Sequence, residues 1–500
     1  MSAKGFLALT AVFQSLVLSS AALPLTNQSD APPSNIHGEG ESRQGWTSSP
    51  NTRGTFDILW SSVFTSFLCC WTVLCVNVAG RNDTQIDIFK RKCRLAMMTL
   101  FAPEVVAVVA VGQYCSARRS VRDFAAAGIS DWTMRDAFIV DMGAFVLETN
   151  DDWVPFPIDA RQLLWLVQHG YLTAIPHDKM ARIRDKNKAD GLVRLLTTAQ
   201  AIWFTINIIG RLSQGLAITA IEVTTVTFIF VGLVITITWR HKPADVRTSE
   251  TLRIDASMPE ILRAGGDAAR EPYRDTPLDF INRNEWAWTK CWAHFRQAIW
   301  GRMKHRRIPF DRFSNMKTPE IPWWVFRIGV LGALADFSIF LPAWNANFPT
   351  DLERLLWRIS VVGCMGSLAF GDIFADWGFY IWPSIKRRWI RQHKNGENHD
   401  TASSPSPSIN EARVSTNRAI GNNGVRRSQR TIWEKIRNNS TRQDPEMEVP
   451  LTVILVLWIA GIVYVVCRTY ILVEVFLELR SLPLSAFRNV EWAEFLPHGA

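Results

Sequence analysis

The chain has 500 residues, 48% hydrophobic and 20% charged, with a net charge of +9 and a mean hydropathy of +0.02. That composition excludes a disordered chain, a collagen and a small disulfide scaffold. The 22 Trp against 6 Tyr are the unusual count, and their meaning depends on where they fall.

Residues 1–22 hold Lys4, an apolar run from Gly5 to Leu18, and the small residues Ser20, Ala21 and Ala22. This is the pattern of a cleaved signal peptide. An uncleaved signal anchor is the alternative, and both deliver the next segment outside the cytosol. Residues 23–56 are polar and rich in Pro, Ser and Asn, with a glycosylation sequon at Asn27-Gln28-Ser29.

Seven long apolar windows follow: Ile58–Val78, Leu95–Tyr114, Leu192–Gly210, Leu216–Trp239, Trp323–Leu341, Leu355–Trp382 and Leu451–Leu472. Each is near the ~20 residues that a bilayer crossing needs. Most carry Trp at an end, where indole sits at a lipid–water interface. Unbroken runs do not fit the alternating pattern of a barrel, and in lipid only helices or closed barrels satisfy the backbone. The expected fold class is all-α: a polytopic α-helical transmembrane bundle with cytosolic amphipathic helices and a disordered loop.

Charge sets the expected threading. Lys and Arg concentrate in residues 80–94, 116–191, 240–322 and 383–448. If all seven windows crossed from an outside N-terminus, three of these stretches would lie outside, against the positive-inside rule. Letting the second window enter and leave on one face puts 44 basic residues inside and 5 outside. That window reads Phe101-Ala102-Pro103-Glu104 at its centre. Pro breaks the helix, and an ionised Glu at mid-bilayer must be paired or face protein or water. Residues 95–115 are therefore expected as a re-entrant or kinked membrane helix. An ordinary kinked span, with a further crossing in 133–148, is the alternative. The expected crossings are 57–79, the hairpin 192–211 and 216–239, the pair 323–342 and 355–382, and 450–472. The tail 473–500 ends outside.

Between the crossings, residues 116–191 are expected to hold short helices against the membrane face, around Trp132–Phe138 and Asp159–Tyr171. In 240–322, Ile281, Trp288, Trp292, Phe295, Ile299 and Met303 recur at helical steps, with Arg and Lys on the other side. This is a basic amphipathic helix over 281–306, suited to anionic inner-leaflet lipid. A calmodulin-type target helix and a plain packing helix are the rivals. Residues 383–449 form a basic loop whose Ser, Pro, Asn and Arg content predicts disorder. The sequons at Asn438 and Asn439, like Asn82, fall in cytosolic segments and should stay unmodified. No Cys falls in a segment expected outside, so no structural disulfides are expected. Cys93 and Cys291 are candidates for palmitoylation.

Polar residues inside apolar helices are where function can show. Gln200, Asn207, Arg211 and Gln214 share one helix face, and Glu222 opens the next span within reach of Arg211. They line a water path or polar ligand site, or they hold a hairpin together by hydrogen bonds. In 355–382, Ser360, Gly363, Ser367, Gly371 and Ala375 form a small-residue stripe for close packing. Beside it Asp372 and Asp376 share a face. Such a pair can hold a divalent cation with a phosphorylated substrate, but no second acidic motif accompanies it. Asp336 and Arg468 are lone intramembrane charges whose partners the sequence does not identify. No nucleophile, metalloprotease, Walker or CxxC motif is present, and the 9 His show no ligand spacing. No cofactor or metal is expected.

The chain from about residue 54 to 498 resembles a large family of fungal multi-pass membrane proteins with no assigned activity. The residues carrying the likeness are Asp57-Ile58-Leu59-Trp60-Ser61, Trp71-Thr72, Ala102-Pro103-Glu104 and Asp185-Lys186-Asn187-Lys188-Ala189-Asp190-Gly191-Leu192. Trp239, Lys242-Pro243, Phe348-Pro349-Thr350 and Leu356-Trp357-Arg358 continue it. It ends through Glu474, Leu479-Arg480-Ser481-Leu482-Pro483 and Phe495-Leu496-Pro497-His498. The resemblance implies a membrane protein and supplies no catalytic residues.

The expected function is that of a non-enzymatic membrane and interaction protein of the cell surface or secretory pathway. Its partners are the lipid bilayer, anionic inner-leaflet lipids and proteins, and not nucleic acid, because the +9 charge belongs to one membrane face. A transporter or channel lined by Gln200, Asn207, Arg211 and Glu222 is one alternative. A metal-dependent intramembrane enzyme using Asp372 and Asp376 is the other.

Overall fold

The computed structural model describes residues 43–48, 53–172, 190–270 (without 245, 247 and 248), 273, 275–282, 309–316, 321–345, 348–385, 388 and 451–492. The expected signal peptide, Asn27, Cys291, Asn438, Asn439, most of the amphipathic helix 281–306 and most of the loop 383–449 lie outside the described residues. The chain divides into two units. The first comprises Met1–Trp286, Arg307–Ala369 and Ile462–Ala500; the second comprises Ala287–Arg306 and Phe370–Gly461.

The first unit opens with β1 (Arg43–Gln44) and α1 (Thr55–Thr72). Helix α2 (Gln85–Phe101) begins at a reciprocal cap: Asp87 accepts the Thr84 N–H at 3.1 Å, and Thr84 Oγ1 accepts the Asp87 N–H at 3.3 Å. The chain bends by 114° between α2 and α3 (Pro103–Ala126). Pro103 has no N–H to extend α2, and its ring pushes Ala102 out of helical conformation, to φ −145 and ψ 63. In the first turn of α3 the missing donor costs nothing.

A cap of short elements follows: α4 (Met134–Asp141), β2 (Phe145–Glu148), β3 (Phe156–Ile158) and α5 (Ala160–Gln168). Gly143, at φ 85, makes the left-handed turn from α4 into β2. The hairpin α6 (Asp190–Ser213) and α7 (Ala220–Thr238) comes next. The chain then returns to the cap as β4 (Glu250–Arg253) and α8 (Met258–Ala264). The sheet order is β3-β2-β4, with Phe145 opposite Ile158 in the antiparallel pair and opposite Glu250 in the parallel one. Phe138, Phe145, Leu147, Phe156, Leu163 and Leu166 are fully buried beneath it. At about 1.5–3 kcal/mol for each such side chain, this core stabilises the cap without help from lipid.

Helix α7 is apolar on every side and is the hub of the first unit. Its Ile221, Val226, Ile229 and Ile235 are buried along with Thr224 and Thr225. Thr225 Oγ1 accepts from Ser66 at 3.2 Å and donates to the Ile221 carbonyl at 2.8 Å, so its hydroxyl is satisfied within the bundle. Helices α9 (Trp323–Ser338), α10 (Asp351–Asp376) and α11 (Leu451–Leu477) complete the long elements, and β5 (Leu482–Pro483) pairs antiparallel with β1.

Among the described residues four helices are long and apolar enough to cross a membrane: Gly191–Ser213, Ala220–Thr238, Asp351–Ile385 and Thr452–Arg480; the bent pair α2–α3 makes five if it is one span. Helices α1 and α9 fall outside that set. The first is diluted by Ser and Thr, and the second, at 16 residues, is only about 24 Å long.

The second unit contains the end of α10, a π-helical turn at Trp377–Ile381, and the start of α11. Ala375, Val453, Ile454 and Leu457 are buried together there, with Phe374, Phe379 and Trp458 against them. Gly378 permits the contact, because a Cβ at that position would lie 2.5 Å from Val453 Cγ1.

Candidate functional site

Three helices bring ionisable groups into the apolar interior of the first unit. Glu104 sits in the first turn of α3, fixed there by the break at Pro103. Asp336 lies near the end of α9. Tyr464 and Arg468 are four residues apart on α11 and so share one face. Asp336 and Arg468 are 0% exposed, Glu104 5% and Tyr464 8%. Arg468 lies about 24 Å along the Thr452–Arg480 helix, far from either end.

The Tyr464 hydroxyl donates to Glu104 Oε2 at 2.6 Å. The Arg468 guanidinium carbon lies 5.4 Å from the Phe228 ring and 5.7 Å from the Phe337 ring. Rings at that distance offer their negative faces to a cation. Neither Asp336 oxygen, and none of the three Arg468 nitrogens, has a hydrogen-bond partner among the described residues. Isolated buried charges cost several kcal/mol each, and Glu104 and Asp336 both lie near enough to Arg468 for its charge to act on them. Glu104 also lines a cleft of about 50 Å³ between α3, α7 and α9. Its other walls are apolar, among them Val108, Phe230, Val234 and Gly329. The volume suits a few waters.

The polar face of α6 resolves into separate contacts. Gln200 Nε2 donates to Thr65 Oγ1 at 3.1 Å. Asn207 is half-buried and donates to the Trp203 carbonyl of its own helix at 2.8 Å. Arg211 is buried and donates to four carbonyls: Ala217 and Arg488 at 2.8 Å, Ala486 at 3.0 Å and Ser485 at 3.2 Å. Glu222 pairs with Arg53 at 2.5 Å rather than with Arg211, and caps α7 by accepting the Thr219 N–H at 3.0 Å. Glu478 accepts the Ala220 N–H at 2.6 Å beside it. Gln214 and Glu491 exchange hydrogen bonds at 3.0 and 3.1 Å. Arg211 and Gln214 therefore tie the segment after α11 to one end of the hairpin, and Glu222 ties Arg53 to the same end. Gln200 and Asn207 stand apart from them.

Asp372 and Asp376 lie in the second unit, the first buried and the second half-buried. Among the described residues no group of three His, Cys, Asp or Glu side chains is placed to hold a metal. The Arg358 guanidinium donates to the Trp344 carbonyl at 2.8 and 2.9 Å and lies over the Trp344 ring.

A second polar cavity, also of about 50 Å³, lies where the hairpin meets the cap. Lys242, just past α7, is 2% exposed; its ammonium donates to Gln113 Oε1 at 2.9 Å and lies 4.2 Å from the Trp239 ring centre. Asn77, Asp141, Asp159 and Arg161 also line this space. Burial pulls the lysine down to about 8, with the charge of Arg194 adding to it and Cys75 and Asp141 opposing. Arg194 closes this end of the hairpin, donating to the carbonyls of Trp239 at 3.1 Å, Arg240 at 3.2 Å and Lys242 at 2.9 Å.

Sequence reasoning marked Glu104, Asp336 and Arg468 singly and did not join them. The available signal was that each is an ionisable group inside a long apolar window. Lys242 carried no warning, because a lysine after a Trp-ended span reads as a surface anchor.

Residues 33–263 match the model of a family of unknown function (DUF8562). The match is less than half of the chain; it includes Glu104, Arg211, Glu222 and Lys242 and stops before Asp336 and Arg468. No curated protein and no solved structure matches the chain.

Proposed function

We propose that the chain is a multi-pass integral membrane protein of the secretory pathway or cell surface that works by binding. Its basic loops lie against anionic inner-leaflet lipid, and its folded cap is the platform offered to protein partners. The observation that carries this reading is the outward face of α11. Ile462, Val466, Val473 and Phe476 recur at helical spacing and are 56, 62, 49 and 52% exposed. A stripe of that kind about 21 Å long is costly in water and at ease in hydrocarbon. Leu195, Leu196, Ile202 and Trp203 present a similar face on α6.

The test is extraction of native membranes. Alkaline carbonate should leave the protein in the pellet and detergent should release it; recovery in the carbonate supernatant would overturn the reading. Glycosylation mapping gives the orientation, with Asn27 modified and Asn82 and Asn438 bare. Modification at Asn438 would reverse the threading.

A second reading, a carrier, is favoured by one observation: the buried charges reach a cleft through Glu104. Its path runs past Glu104 and not past Gln200 and Asn207. Loss of a solute flux in Glu104→Gln, with the flux retained in Asn207→Ala, is the result expected of it. The reverse pattern refutes it.

A further inference from the structure

The groups facing the buried centre can be counted element by element. Helix α3 contributes Glu104, α9 contributes Asp336, and α11 contributes Tyr464 and Arg468. Helix α10 contributes the Cys364 thiol and α1 the Cys70 thiol, both close enough to feel the Arg468 charge; α7 contributes the Phe228 ring. With both carboxyls ionised and the phenol and thiols neutral, two negative charges face one positive charge. The centre then carries a net −1 at positions with almost no exposure. A net charge in such surroundings costs several kcal/mol, and a buried carboxyl sheds that cost by taking up a proton.

We propose that Glu104, Asp336 and Arg468 together bind one proton at neutral pH, taken up and released through the cleft beside Glu104. One carboxylate and one H⁺ become one carboxylic acid, and the centre passes from −1 to 0. The geometry gives the two carboxyls different parts. Glu104 accepts a hydrogen bond from Tyr464 and touches the cleft. Among the described residues Asp336 has no donor to either oxygen, so it is the resting place of the proton. Arg468, beside two phenyl rings and with all three nitrogens unpartnered among the described residues, supplies a fixed positive charge that balances one carboxylate and cannot balance two.

The test is carbodiimide labelling of the purified full-length protein in detergent at pH 7, because dicyclohexylcarbodiimide attacks protonated carboxyls in apolar surroundings. Peptide mapping should find the adduct on Asp336, with a minor share on Glu104, about tenfold or more above the exposed Asp351. Labelling should fall as pH rises. Asp336→Asn leaves Glu104 and Arg468 balanced and should remove the label from both positions. Arg468→Met leaves two carboxyls with no cation and should raise the label on Glu104. Tyr464→Phe keeps every charge and should move label from Asp336 toward Glu104, so it serves where the charge variants do not fold. An unlabelled centre in the folded protein overturns the proposal. Protection by millimolar Na⁺ or K⁺ also overturns it, since a metal cation would then be the neutralising species. Burial within the helices sets this proton, so an unlabelled centre and release by carbonate are separate results.

Discussion

Replacing Arg211 with Ala should undock the segment after α11 while leaving the bundle folded. The side chain is 3% exposed and donates to four carbonyls, three of them in residues 485–488, at 2.8 to 3.2 Å. Hydrogen bonds from a charged donor contribute about 1.5–3 kcal/mol each. The four share one cation, and the released carbonyls regain water once the segment lifts, so they do not add. The expected loss is about 3–5 kcal/mol, the usual range for breaking a buried charged contact. That corresponds to an increase on the order of 10² to 10⁴-fold in the open population of this segment. Hydrogen exchange with mass spectrometry in detergent reads it directly. Peptides over residues 482–492 should exchange faster by that factor, while amides of α7 keep their protection. Arg211→Lys keeps the charge but cannot reach four acceptors, so it should fall between. A change below tenfold over 482–492 in Arg211→Ala would refute the assignment of Arg211 as the clamp.

Three further outcomes follow from other contacts. Lys242 is held below the ordinary lysine value of 10.5, at about 8, so between these pH values the unfolded chain binds more protons than the folded one. Stability should therefore rise with pH across that window, and Lys242→Met should flatten the rise in thermal midpoints measured from pH 7 to 10.5. Gly363→Ala would set a Cβ 2.7 Å from Cys467 Sγ and should destabilise by about 1–3 kcal/mol in thermal unfolding, with Cys467→Ala restoring most of the loss. Arg480→Ala should cost under about 1 kcal/mol in the same assay, because its pair with Glu353 is half exposed on the arginine side.

The long helices were legible because lipid-length apolar runs leave few other solutions. The windows opening at Leu192, Leu216 and Leu451 become α6, α7 and α11. The bend at Ala102 was legible from Pro103 alone. The sheet was not. Phe145–Glu148 is four residues long, and its parallel partner Glu250–Arg253 lies beyond a whole helical hairpin, so no local period announces the pairing. The partner of Arg211 escaped for the same reason. Glu222, eleven residues away, was the near choice, whereas three of the four acceptors are carbonyls some 275 residues on. Backbone acceptors carry no side-chain signature. The meeting of Glu104, Asp336 and Arg468 was likewise hidden, because the three groups fall in separate windows and only three-dimensional packing adds them.

The short pairing of Arg43–Gln44 with Leu482–Pro483 constrains the whole thread. Two segments sharing a strand pair lie on the same side of any bilayer, so the number of crossings between them has to be even. If each of the four helices long and apolar enough to cross does so, the count is four. A straight passage through α2 and α3 would then make five and carry residue 482 to the opposite side from residue 44. With that set of crossings, the 114° bend at Ala102 returns the chain to the face it came from. A two-residue ladder, too small to contribute much stability, thus constrains the parity of any membrane path.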